Sequence, residues 1–130
     1  MIFGTLKDEM FFTTYSILSK TRNITEISGI FNDTLRETLS RHPHFYEVAQ
    51  KLYLSECTPS FTEAYRPLVN FLTDWAFRCP VKEESLLRVN FFPEQPVYVF
   101  QYAYVTAVPG ISYPTGTQGF AAHGLDLMVS

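Results

Sequence analysis

The sequence predicts a mixed α/β fold whose sheet is incomplete: two strands with several helices between them. Three observations carry this reading. A short apolar run, Met1 to Leu6, opens the chain and stops at charged Lys7-Asp8-Glu9, as a strand does on entering a polar loop. Between Met10 and Leu87 apolar residues recur at intervals of three and four, the spacing of one helix face. The run Val97 to Val105 is β-branched and aromatic with almost no alternation. A strand buried on both faces, in a parallel sheet covered by helices, has that pattern.

The elements follow in order. After the strand over 1–6, Met10, Phe11, Tyr15 and Leu18 fall at helical spacing, and Asp8 and Glu9 stand where a charge pair favours a helix N-terminus. Ser19 to Gly29 is polar and broken and reads as a loop. Asn32 or Asp33 is placed to cap a helix carrying Leu35 and Leu39. Beyond Pro43 a short helix fits Phe45, Val48, Ala49, Leu52 and Tyr53. Ser60, with Glu63 three residues on, forms a capping box for the longest helical pattern, Phe61 to Ala76. Pro67 should bend that helix, because it lacks an amide donor and crowds the preceding turn. Cys79-Pro80 should end it, with Pro80 opening another helix that buries Leu86 and Leu87. Pro93 and Pro96 bracket a loop before the strand at 97–105, and Pro109 to Gly119 reads as a long loop. Two strands alone make no stable sheet, so the second strand asks for neighbours on both edges.

Composition points the same way. With 130 residues there is room for one core, and residues 1–130 read as one unit. Charged residues are 18% and aromatic residues 16% of the chain, against about 25% charged in a typical domain. A small independent domain exposes much surface for its volume, so this balance suits an interior taken from something larger. A net charge of −3 with scattered Lys and Arg excludes a basic nucleic-acid footprint. Two cysteines make neither a disulfide framework nor a Cys-rich zinc site. No apolar run is long enough for a membrane span, and the N-terminus shows no signal-peptide pattern.

Three histidines bound the possible chemistry. His42 and His44 flank Pro43 without a third metal ligand at plausible spacing. His123 lies in a loop bracketed by Gly119 and Gly124, after the buried strand, and Glu9 follows the first strand. In open α/β sheets, ligands and catalytic groups sit beyond the carboxyl ends of the strands. An acid after one strand and a histidine after a later one is the second half of the Ser…Asp/Glu…His order of α/β-hydrolases. There the histidine takes the serine proton, and the carboxylate fixes the imidazole tautomer and stabilises the imidazolium.

Four segments in one order resemble a known family. Gly4-Thr5-Leu6-Lys7-Asp8-Glu9 with Phe11-Phe12 resembles the Gly-x-x-Lys-Asp-Glu segment of the type B carboxylesterases, the group that includes cholinesterases. Asp74 to Pro80 is similar to that family's Asp-x-x-Phe-x-Cys-Pro helix end, and Val97 to Tyr102 to the strand that follows. Ala122 to Leu127 resembles its His-Gly-x-Glu/Asp-Leu segment. The resemblance implies that the chain is the C-terminal part of an α/β-hydrolase domain, with Glu9 as triad acid and His123 as triad base. It implies a small carboxylic ester as substrate, no cofactor and no metal. Cys79 stands where many relatives place a disulfide cysteine whose partner lies further on, and a Cys57–Cys79 bridge is not expected.

The departures set the functional expectation. The nucleophile motif Gly-x-Ser-x-Gly and the Gly-Gly oxyanion loop are missing; Gly110-Ile111-Ser112 lacks the second Gly and follows the wrong strand. Ser112 reads as a loop serine. The expectation is a fragment of a serine esterase, inactive alone, whose principal partner is the missing N-terminal portion of the same fold. The alternative is a non-catalytic cholinesterase-like adhesion or interaction module. The sequons at Asn23 and Asn32 weigh toward a secreted or endoplasmic-reticulum setting.

Overall fold

The computed structural model describes residues 1–18, 20, 23–54, 61–103 and 121. Strands β1 (Ile2–Leu6) and β2 (Tyr98–Tyr102) pair in parallel, Ile2 opposite Tyr98 and Leu6 opposite Tyr102. Between them in sequence run α1 (Phe11–Leu18), α2 (Ile24–Thr38), a 3-10 turn (Pro43–Phe45), α3 (Tyr46–Leu54), α4 (Phe61–Thr73), a π-helical segment (Asp74–Arg78) and α5 (Cys79–Phe91). The fold is therefore mixed α/β, built on a small two-stranded parallel sheet. Gly4 faces Phe100 across the pair, and a Cβ there would overlap the Phe100 ring. The ring thus covers the gap that the glycine leaves in the strand face.

The core is helical. Ile27, Phe31 and Leu35 of α2, with Leu39 just past its end, form one buried stripe at every fourth residue and meet Leu68, Val69, Phe71 and Leu72 of α4, Phe11 of α1 and Ala49 of α3. This stripe corrects two expectations. Helix α2 starts at Ile24, inside the stretch 19–29 that reads as a loop, and Asn32 and Asp33 lie in its interior rather than at a cap. Burial of Ile27 and Phe31 outweighs the helix penalty of about 1 kcal/mol that Gly29 carries.

Asn32 instead ties α2 to α3. Its Oδ1 accepts from Tyr46 Oη and Gln50 Nε2, both at 3.1 Å, and its Nδ2 donates to the Ser28 carbonyl at 3.0 Å. The amide nitrogen of this sequon is thus engaged within the fold, which speaks against a glycan there.

Gly29 is exposed, with open space where a Cβ would stand. The Gly29→Ala variant is therefore expected to gain about 0.5–1 kcal/mol, seen as a higher urea midpoint at unchanged slope. A loss would place Gly29 outside the helix.

The long helical pattern runs through Pro67 without interruption and past the expected stop at Cys79-Pro80. In a regular turn the Pro80 ring would crowd the carbonyl of residue 76. The wider π-helical turn, in which the Cys79 amide donates to the Asp74 carbonyl, relieves that clash and lets the helix continue. Pro80 occupies the first turn of α5, as expected, but Leu86 is 54% and Leu87 50% exposed. Strand β2 departs in the same sense: Tyr98, Val99 and Phe100 are exposed, where the sequence pattern predicts burial on both faces. The cause is common to both. The helices bury their apolar faces against one another, and among the described residues no layer covers these side chains. No helix among the described residues is long and apolar enough to cross a membrane.

Candidate functional site

Strand β1 ends at Leu6, and the chain turns through Lys7 to Met10 into α1. That turn carries two buried carboxylates, Asp8 at 0% and Glu9 at 6% exposure. The Leu6 amide donates to Glu9 Oε1 at 2.7 Å, which folds the Glu9 side chain back over the carboxyl end of β1. The Phe11 amide donates to the Asp8 carbonyl at 3.0 Å, and the Met10 amide to Thr73 Oγ1 at 3.2 Å. The turn is thereby fixed both to its own helix and to the end of α4.

Asp8 reaches a distant segment. Its amide donates to the Ala121 carbonyl at 3.1 Å, and its Oδ2 accepts the Ala121 amide at 2.8 Å. Ala121 is fully buried. Asp8 Oδ1 accepts no hydrogen bond and faces Arg66 Nη1 at 3.8 Å. The reading of Asp8 and Glu9 as a charge pair on a helix N-terminus is thus corrected. Neither residue lies in the first turn of α1, and both carboxylates are spent on backbone amides.

Of the predicted site residues, Glu9 lies in a buried and fixed position beyond the strand end. His123 lies outside the described residues, as do Ser112, Cys57 and the capping Ser60. Cys79 is an exposed free thiol. His42 and His44 are exposed, the His44 ring resting on Phe45 with 4.2 Å between centroids. No group of three or more metal-ligating side chains occurs among the described residues.

A second polar cluster was not legible as a unit in the sequence. Arg78 donates to Asp74 Oδ1 one turn back and to the carbonyl of Lys7, which locks the π-helical segment to the end of β1. Tyr53 Oη donates to Asp74 Oδ2 at 2.6 Å. These residues line an open groove of about 440 Å³ with Lys7, Asn70 and Gln101; Glu9 is not part of its wall. The Asp74–Arg78 pair has the i, i+4 spacing of a helix ion pair, the one part of the cluster that the sequence offers.

Burial pushes the Tyr53 phenol well above its ordinary range, and the hydrogen bond and charge of Asp74 push it further. A phenol whose pKa is raised by folding contributes stability that is present below the unfolded value, near about 10, and is lost as pH rises above it. The stability lost between pH 9 and pH 11 should therefore be smaller in Tyr53→Phe than in the parent chain, as denaturant melts at both pH values would show. Equal losses would mean that Tyr53 ionises freely.

Comparison of the chain with protein-family models, with curated proteins and with solved structures finds no match.

Proposed function

We propose that the chain is the acid- and base-bearing C-terminal portion of a serine carboxylic-ester hydrolase of the α/β-hydrolase type, with Glu9 as triad acid and His123 as base. One observation carries the reading furthest. Glu9 is buried just beyond the carboxyl end of a strand in a parallel pair, and the neighbouring Asp8 holds Ala121 by two hydrogen bonds. His123 follows Ala121 by two positions in the chain, and two peptide units span about 7 Å at most. The ordered motifs from Gly4 to Leu127 supply the family resemblance. The exposed faces of β2 and α5 fit a chain whose remaining sheet lies elsewhere.

The chemistry is acyl transfer. A serine from the upstream portion would attack the ester carbonyl, His123 would take its proton and return it to the leaving alcohol, and Glu9 would hold the ring and stabilise the imidazolium. The chain alone offers neither the nucleophile motif nor the oxyanion donors.

The test is to measure hydrolysis of an activated acyl ester by the chain alone and by the chain fused behind the upstream half of a type B carboxylesterase. The chain alone should work no faster than an equal concentration of imidazole, and the folded hybrid should turn over saturably and be silenced by a serine-directed organophosphate. Saturable, inhibitor-sensitive hydrolysis by the chain alone would make one of its own serines, Ser112 first, the nucleophile. A folded hybrid without turnover would favour the interaction module.

A further inference from the structure

Away from the triad, we propose that the groove beside the end of β1 binds a small hydroxylated carboxylate of the sugar-acid class. The groove holds about 440 Å³, within the range of about 300–1,000 Å³ that small-molecule sites span. Part of its wall is braced. Asp74 Oδ1 accepts from Arg78 and Oδ2 from the Tyr53 phenol, and Arg78 also donates to the Lys7 carbonyl. The Asp74 charge is thus opposed by Arg78, and both its oxygens are occupied. Single π-helical turns recur at functional sites, and this one sets Asp74 and Arg78 on the wall.

The rest of the wall is unengaged. Among the described residues the Lys7 ammonium makes no ion pair, and the side-chain amides of Asn70 and Gln101 make no hydrogen bond. Each would be ordinary alone on a surface. Here all three border one concavity, brought there from the turn after β1, from α4 and from β2. Arg78 holds the Lys7 main chain, so the braced part also places the cation.

The chemistry of these groups selects the ligand. Lys7 leaves the groove one uncompensated positive charge, which calls for a monoanion. A primary amide offers a donor and an acceptor side by side, the match of two neighbouring hydroxyls, and there are two such amides. The Tyr53 oxygen, whose proton goes to Asp74, keeps lone pairs for another hydroxyl. A carboxylate on a polyhydroxylated body satisfies all of them. A bare anion meets only the charge, and a neutral sugar only the amides and the phenol. Glu9 is not on this wall, so the inference stands or falls apart from the triad reading.

The experiment titrates the whole chain with sodium glucuronate at constant ionic strength and follows the backbone amide NMR signals of Lys7, Asn70 and Gln101. Saturable shifts are expected with a Kd of about 1 mM, since the site is open and its one free charge is exposed. Glucose, acetate and inorganic phosphate should each bind at least about fivefold more weakly. Lys7→Met keeps the main-chain carbonyl that Arg78 uses, and should weaken glucuronate to the level of glucose. Gln101→Leu should weaken glucuronate and glucose alike and leave acetate unchanged. Lys82→Met removes an exposed charge on α5 outside the groove and should change nothing. The core amides of Leu35 and Val69 report that each variant is folded. Acetate or phosphate binding as tightly as glucuronate would make the groove a plain anion patch and overturn the proposal. Glucose binding as tightly would overturn it by taking Lys7 out of recognition. Equal losses in Lys7→Met and Lys82→Met, or no shift up to about 20 mM glucuronate, would overturn it as well.

Discussion

In the fused hybrid, His123→Ala is expected to lower kcat for an activated ester by about a millionfold and to leave KM within about threefold. The serine proton must leave as the oxygen attacks, and without an imidazole the acceptor is water, which is far too weak a base at neutral pH. Glu9→Gln should cost about 10⁴-fold, because an amide can hold the ring in the wrong tautomer and gives the imidazolium no opposing charge. Glu9→Asp should cost less, since the charge is retained and only the reach is shortened. The double variant should be little worse than His123→Ala alone, because in the proposed triad acid and base act as one unit. Steady-state kinetics with burst titration of the acyl-enzyme would measure all four. An additive double variant, or a His123→Ala enzyme with near-parental kcat, would take His123 out of the proton relay.

How far these residues could be read from sequence depends on the range of the contact behind each. Strands β1 and β2 are legible because their β-branched and aromatic composition and their punctuation are local. The position of Glu9 just past β1 is legible for the same reason. Asp8 is visible only as an acid beside another acid; its use is fixed by Ala121, 113 residues away, and no local pattern announces that. The start of α2 is misread because Gly29 and the polar residues around Asn23 lower local helix propensity, while the Ile27–Phe31–Leu35–Leu39 stripe buries its face against α4. That burial is a tertiary effect. Exposure of β2 and α5 goes the other way. Their sequences carry the apolar pattern of a covered layer, and pattern reports which faces want cover rather than whether the described residues provide it.

That distinction gives the second large effect. Leu35 is fully buried in the helical core, whereas Val99 on β2 is 55% exposed. In the chain alone, Leu35→Ala should cost about 3 kcal/mol, the transfer term plus the cavity it leaves. That is a large share of the 5–15 kcal/mol typical of a whole domain, and the variant should unfold at a clearly lower urea concentration by circular dichroism. Val99→Ala should cost no more than about 0.5 kcal/mol, since the truncated methyls already face water.

Fusion to the upstream half should reverse the second result and leave the first. Once a neighbouring strand and a helical layer cover β2, Val99→Ala removes buried methyls and should cost about 2 kcal/mol. Leu35 keeps the neighbours it already has. Hydrogen exchange should agree: in the chain alone the α2 and α4 amides exchange slowest, because Phe31, Leu35, Leu68 and Val69 shield them, and the outer-edge amides of β2 exchange fast. In the hybrid those β2 amides should slow while α2 and α4 change little. A Val99→Ala cost that stays near zero in a folded hybrid would mean that β2 is a true edge. The exposed face of β2 would then be a surface in its own right, as an interaction module requires.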